Sequence, residues 1–372
     1  MKQFNAKAYL CLFFLLAPFL IPTLSAQLTT PAGSPEAEVM QRVGITDITI
    51  HYNRPYVKGR EIWGKLVPYG FNDLGFGTSK SAPWRAGADY NTTIEFTHDV
   101  KIEGNDVKAG KYALFFALEE NGDVLGILSS NTTSWGSYFY DEAEDVLRFN
   151  TKSKELDSFV EMLTFGFDTV DATSAVASLK WEKKEIPFKI EVDVKNIVLE
   201  GIANDLRNPT GFQQSTWDQA ANYAFNAGEM DKALEWVNAS IAGQFFSEET
   251  FANLALKSRI LRKQGNTSEA DMLLDKAVSL GSAREIYGAG TQLIGADNDK
   301  ALSILKANVK KNKGVWPSNY GLARAYSAKG DYKNAVKSIN KSLAVAPENF
   351  KPRLEQALER LKKGEDINTP AN

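Results

Sequence analysis

Apolar residues change their spacing near residue 195, and this switch constrains the fold more than any other feature of the chain. Between Ile45 and Val194 they recur with period two. Ile48, Ile50 and Tyr52 alternate with Thr49, His51 and Asn53; Ile94 and Phe96 alternate with polar neighbours; Ile186, Phe188, Ile190, Val192 and Val194 do the same. Side chains of a strand point alternately to its two faces, so this pattern predicts half-buried antiparallel strands. Tyr112 to Leu118 is apolar on both faces and is expected to be a central strand, covered on both sides. Asn121-Gly122 between two apolar runs predicts a hairpin. The expected fold of residues 27–194 is an all-β sandwich, jelly-roll-like, with about eight antiparallel strands. Tyr69 to Pro83, rich in Gly, Ser and Asn, reads as a mobile surface loop.

Beyond Asn196 the period is helical and an internal repeat emerges. Gly228, Gly265 and Gly330 each precede an alanine, Ala233, Ala270 and Ala335, by five residues, and Ala301 centres a weaker copy. These alanines lie 37, 31 and 34 residues apart. Four residues after each comes Val237, Leu274, Leu305 or Ile339, and small residues follow at Ser240, Ala277 and Ser342. The pattern resembles the tetratricopeptide repeat (TPR), an antiparallel helix pair of roughly 34 residues in which small residues stand where helices cross. An all-α TPR-like repeat domain is expected over 195–363, with a flexible tail at 364–372. Such an array implies a protein partner.

The N-terminus reads as a signal peptide over residues 1–26: Lys2 and Lys7, then an apolar run from Ala8 to Ile21, then Leu24-Ser25-Ala26 as a cleavage site. The expected location is therefore exported, periplasmic or extracellular, with no transmembrane segment after cleavage. Cleavage removes Cys11, the single cysteine, and with it disulfides, thiol nucleophiles and thiolate zinc sites. It also removes two lysines and no acids, which takes the formal charge from −3 to −5. That balance gives no footprint for nucleic acid.

The first region also resembles the DUF2911 family, a module of unknown function found in secreted or periplasmic proteins of Bacteroidota-type bacteria. The resemblance rests on Ser34-Pro35, Val43 to Ile48, Tyr52 to Pro55, Lys58-Gly59-Arg60, Pro68-Tyr69-Gly70, Trp84 to Ala88, Asp99 to Gly104, Ala109 to Tyr112, Trp135-Gly136 and Trp181. In the family pattern the Pro-Tyr-Gly word runs almost directly into the Trp-Arg word, whereas here Phe71 to Pro83 intervenes. The resemblance implies an architecture and a compartment and supplies no catalytic residues.

Candidate ligand-binding residues are His51, Arg54, Arg60, Trp84, Arg85, Asp89 and Arg148. Guanidinium groups beside tryptophans suit a carboxylate, phosphate or sugar, through bidentate hydrogen bonds and stacking. The competing reading is structural, with the arginines tied to loop carbonyls or Arg85 bridged to Asp89. Trp135, in the polar run Ser134 to Tyr138, is a candidate exposed aromatic for a glycan, while Trp181 fits the core. His51 and His98 are the only histidines and lack metal-ligand spacing, so no metal and no cofactor are expected. Gly-x-Ser-x-Gly is absent, and Gly75-Phe76-Gly77 has no phosphate-loop lysine. On the first helices of the repeats, Asn222, Asn226 and Arg324 fall on the concave face. Asp218 stands where a peptide-tail clamp would carry lysine, which argues against carboxylate capture.

The reading is an exported binding or scaffolding protein with no catalysis of its own. The alternative is an extracytoplasmic hydrolase acting on glycans or envelope polymers through His51 or paired acids, among which Asp47, Asp89, Glu95 and Asp141 cannot be ranked.

Overall fold

The computed structural model describes residues 30–370, which divide into two compact units, one ending at Val194 and one beginning at Lys195. The signal-peptide segment lies outside the described residues.

The first unit holds ten strands: β1 (Glu36–Val43), β2 (Thr46–Asn53), β3 (Thr93–Phe96), β4 (Val100–Ile102), β5 (Asn105–Val107), β6 (Gly110–Leu118), β7 (Asp123–Ser129), β8 (Asp145–Lys152), β9 (Lys154–Val170) and β10 (Ser174–Glu191). All pairings are antiparallel, in a six-stranded sheet of order β1-β2-β3-β6-β7-β8 and a four-stranded sheet of order β5-β4-β10-β9. The count exceeds eight partly because β4 and β5 have three residues each, too few to display a period. In β2, Thr46, Ile48, Ile50 and Tyr52 are buried, as alternation requires. The β6-β7 hairpin turns at Gly122, whose φ is +89°.

β10 shows how two phases of alternation coexist in one strand. Its inward residues are odd-numbered at Ala175, Ala177, Leu179 and Trp181, then even-numbered at Ile186, Phe188 and Ile190. The pairing with β9 slips on both sides of Glu182, which takes φ +55°. A bulge adds one residue to one strand, and a one-residue slip sends each following side chain to the other face. β6 is buried from Tyr112 through Leu118. On one of its faces Ala113 and Phe115 pack with Ile127, Phe71 and Tyr140, so Phe71 of the Tyr69–Pro83 segment helps to cover it.

The second unit contains α1 (Val194–Asp205), α2 (Gln214–Asn226), α3 (Met230–Ile241), α4 (Phe251–Lys263), α5 (Thr267–Leu280), α6 (Ala283–Gln292), α7 (Asn298–Lys311), α8 (Trp316–Ala328), α9 (Tyr332–Leu343) and α10 (Lys351–Lys362). Four hairpins result, α2/α3, α4/α5, α6/α7 and α8/α9, with α10 packed on α9. Ala233, Ala270, Ala301 and Ala335 are all 0% exposed, so nothing larger than a methyl group fits there without displacing neighbours. The turns use Gly228, Gly265, Gly295 and Gly330 at positive φ. In the weaker third copy the glycine stands one place farther from the alanine, Gly295 preceding Ala301 by six residues. Capping boxes at Thr250/Asn253 and Ser282/Glu285 start α4 and α6. No helix of the described residues is long and apolar enough to cross a membrane.

In the segment expected as a flexible tail, Asp366 to Asn368 are bonded to α8, and Thr369 and Pro370 accept from Arg360 of α10. Ser327 donates to the Asp366 carboxylate at 2.7 Å, Arg324 Nε donates to Asn368 Oδ1 at 2.9 Å, and Ile367 joins the apolar cluster beneath. Asp366 also accepts from the Asn368 backbone and side chain, a local turn that composition alone does not reveal.

Candidate functional site

Three of the sequence candidates are engaged in holding the sandwich together. Arg54 donates through Nε to the Leu163 carbonyl at 2.8 Å and through Nη2 to Thr164 Oγ1 at 2.5 Å, tying the end of β2 to β9. Arg60 donates to the carbonyls of Val57 and Tyr56 and closes its own turn. His51 Nε2 lies 2.6 Å from a Glu36 carboxylate oxygen across the β1-β2 pair. His98, next to the hydroxyls of Thr46 and Thr97, sits at the other end of β2. Among the described residues no group of three or more His, Cys, Asp or Glu is arranged to hold a metal.

Trp84 and Arg85 are adjacent and part company. The Trp84 backbone pairs with Phe116 of β6, and its ring stacks on Trp181 at 6.0 Å and 15° while meeting the edge of Trp63 at 5.8 Å. Arg85 lies against a different pair of rings, 5.1 Å from the Trp135 centroid and 6.0 Å from that of Tyr138. Its Nη1 donates to the Asp89 carbonyl at 2.8 Å, and among the described residues it forms no ion pair. Burial holds its pKa below the usual arginine value, against the opposing pull of Tyr138 and Asp89.

The backbone that sets this geometry is unusual. Ala86 and Asp89 adopt φ of +54° and +57°, where side chains other than glycine are disfavoured. Gly136, at φ +73°, leaves room for the guanidinium, since a Cβ there would lie 2.7 Å from Arg85 Nη1. The Gly136 amide also donates to the Asp89 carbonyl at 2.9 Å. Around the arginine Phe76, Tyr90, Trp135 and Phe139 are exposed. Phe76 comes from the Phe71–Pro83 insertion and meets Tyr138 and Phe139 edge-on. Pairing of Asn72 with Ala82 and a bond from the Ser79 amide to the Tyr138 carbonyl pin the insertion down. The result is an exposed aromatic patch around a cation that forms no ion pair among the described residues.

Arg148 belongs to a separate cleft of about 610 Å³, lined by Phe71, Lys80, Tyr140, Glu142 and others. Its Nε donates to Asp145 at 2.7 Å, its Nη1 is 3.1 Å from Glu142, and its Nη2 donates to Tyr140 Oη at 3.0 Å. Tyr140 in turn donates to Asp145, and burial together with that carboxylate raises its pKa well above the ordinary phenol value. Two carboxylates already neutralise Arg148, so it shapes the cleft and offers little to an anion.

The helical unit contains a groove of about 740 Å³ between α2, α4 and α6. Its apolar wall is built from Phe225, Phe251, Ala255, Leu256 and Leu293, and its charged lining comprises Arg259, Arg262, Lys263, Arg284 and one acid, Glu285. Arg262 is paired with Asp271 and Asp297, and Glu285 is consumed in capping Ser282. Arg259, Lys263 and Arg284 make no hydrogen bond or ion pair among the described residues. Arg259 lies 4.4 Å from the Phe225 centroid, and its partial burial lowers its pKa. Asn222 lines the groove, whereas Arg324 is occupied by Asn368 and Tyr287. Asp218 accepts from Ser240 of α3, and burial raises its pKa.

The family model for DUF2911, a protein of unknown function, matches residues 34–190. Residues 34–190 are a DUF2911 domain. A tetratricopeptide-repeat model matches residues 317–349, which span most of α8 and all of α9. Repeats of this kind suggest a protein-interaction scaffold. No curated protein matches the chain. Similar solved structures include the C-terminal part of a TPR repeat-containing protein from Cytophaga hutchinsonii, 16% identical, covering 45% of this chain and 67% of that one, with a TM-score of 0.35. A tetratricopeptide repeat protein from Parabacteroides merdae is 20% identical over 40% of this chain and 60% of that one, with a TM-score of 0.30. MamA from Desulfovibrio magneticus is 16% identical over 42% and 88%, also at 0.30.

Within the DUF2911 domain the words Trp84 to Asp89 and Trp135-Gly136 therefore meet in space, through Arg85 on Trp135 and the Asp89 carbonyl shared by Arg85 and Gly136. His51, Arg54, Arg60 and Arg148 do not join them.

Proposed function

We propose that this is an exported binding and scaffolding protein whose helical array docks an extended segment of a protein partner. The groove of about 740 Å³ carries the reading, because its apolar wall is accompanied by three cations, Arg259, Lys263 and Arg284, that form no ion pair among the described residues. Concave, largely apolar surfaces with a few convergent polar groups are where ligands seat. Gly288 offers a direct test. It lines the groove in mid-α6, and a Cβ there would meet nothing within 4 Å. Gly288→Phe is expected to fill the groove and leave the helix intact. Peptides selected from a random displayed library on the full chain should lose binding to this variant; selected peptides that bind both proteins equally would sink the reading.

A second site is proposed in the DUF2911 domain, for an anionic glycan. It is favoured by the desolvated Arg85, which has no ion pair among the described residues and stands within exposed aromatic rings. Flat rings stack on sugar faces and a guanidinium takes a carboxylate or sulfate. On a panel of polysaccharides bearing uronate or sulfate groups, Arg85→Ala is expected to abolish retention while its circular dichroism matches the parent. Retention by the variant, or none by the parent, counts against the site. The hydrolase alternative gains nothing from His51, which is engaged by Glu36 at the sheet edge.

A further inference from the structure

We infer that the segment held by the groove is acidic, an extended stretch that alternates carboxylate and apolar side chains. The inference rests on the groove being a docking site and adds the chemistry of its occupant.

The lining carries four cations against one carboxylate in a chain whose overall formal charge is negative, so composition does not account for the local excess. Pairing within the fold consumes Arg262 and Glu285 and leaves Arg259, Lys263 and Arg284. The stability of their own helices explains one of these three. Lys263 stands in the last turn of α4, where a cation is favoured by the helix dipole. Arg284 stands in the first turn of α6, where that dipole opposes a positive charge. Arg259 is in mid-helix and has lost part of its hydration to Phe225 without gaining a counter-charge. Both arginines therefore occupy positions that cost the free protein something, and a carboxylate from outside would offset the cost.

The apolar wall defines the rest of the occupant. Phe251, Ala255 and Leu293 line the same groove as the arginines, so a bound segment must present apolar side chains beside its acidic ones. The cationic character continues beyond it. Arg284 is shared with an adjoining cavity of about 370 Å³ walled by Tyr287, Trp316, Tyr320 and Arg353, and Arg353 lies 6.0 Å from the Tyr320 centroid with no ion pair among the described residues. A segment longer than one groove would thus meet another cation next to aromatic rings.

The test uses the full chain and three fluorescein-labelled decapeptides, alternating Glu/Leu, Gln/Leu and Lys/Leu, with binding followed by anisotropy. The Glu/Leu peptide is expected to bind, and to bind more weakly as salt rises from about 0.05 M to 0.5 M. Replacing Arg259 and Arg284 together by Gln should weaken it roughly tenfold or more, as loss of charge-assisted hydrogen bonds requires. Because both side chains are at the surface, circular dichroism of this variant should match the parent. Equal binding of Gln/Leu and Glu/Leu, with both abolished by Gly288→Phe, would keep the docking groove and overturn its acidic specificity. Failure of the Glu/Leu peptide to bind, or its undiminished binding to the Gln variant, overturns the inference outright.

Discussion

Trp181→Ala is expected to destabilise the sandwich by about 3–5 kcal/mol, the range for removing a large aromatic side chain from a packed core. Trp181 is 1% exposed and heads the fully buried side chains by size. Trp84 stacks on it at 6.0 Å, and Trp63 meets it edge-on at 6.0 Å. Neither ring can move in easily to fill the space. Trp84 is anchored by two backbone hydrogen bonds to Phe116, and the Trp63 segment is fixed by its bridge to Val67. The indole Nε1 of Trp181 has no hydrogen-bond partner among the described residues, so the loss is one of packing. Trp181→Phe should therefore recover a large part of it. Urea denaturation of the two variants beside the parent decides the matter, and a loss below about 1 kcal/mol for the alanine would mean that the site collapses around the gap.

Trp181 also marks how far alternation can be read. The inward phase of Ala177, Leu179 and Trp181 and that of Ile186, Phe188 and Ile190 are each visible in the sequence, and they disagree by one residue. Only the bulge at Glu182 reconciles them, and nothing in Glu182 itself announces a left-handed conformation. Short strands were hidden for a different reason, since three residues such as Val100–Ile102 contain barely one period. The helical repeat was more legible. A methyl-sized side chain where two helices cross is a steric requirement that composition rarely satisfies by chance, and all four alanines read in this way are fully buried.

The candidate sites were less legible, because both depend on contacts distant in sequence. Arg85 and Trp135 stood out separately, yet their apposition depends on Gly136 and on the strained turn from Ala86 to Asp89. In the groove, Ala255, Arg259 and Lys263 on α4, and Arg284, Gly288 and Gln292 on α6, recur at four-residue spacing and form a stripe on each helix. That signal was present in the second and third copies, where attention to small residues alone passes over it. Asp218 stands outside the lining of the groove. Its carboxylate is half-buried and accepts from Ser240 of α3.

Asn308 supplies the second large effect, because it sets the repeat pattern against the local hydrogen bonds. It occupies the place that Ser240, Ala277 and Ser342 fill in the other copies, and like them it is fully buried. Ser240 donates to Asp218 of α2 and Ser342 donates to the Trp316 carbonyl of α8, so this position joins the second helix of a pair to its first. Asn308 does the same with a longer reach, donating from Nδ2 to the Ala283 carbonyl of α6 at 2.8 Å. Its Oδ1 accepts from Ser318 Oγ of α8 at 3.1 Å and from Asn312 at 2.8 Å. One side chain thereby fastens three helices. Asn308→Leu keeps the branched shape but none of the polar atoms and is expected to cost about 2–4 kcal/mol, since it leaves the buried Ser318 hydroxyl without its acceptor in a low-dielectric site. Asn308→Ser is the sharper experiment. By the repeat pattern it restores the residue of the first and last copies and should be neutral or stabilising. By the hydrogen bonds it should cost about 1–3 kcal/mol, because a serine is too short to span Ala283 and Ser318 together. Thermal unfolding of the two variants separates these accounts, and an unchanged midpoint for Asn308→Ser would show that the helices close the gap and that the network contributes little.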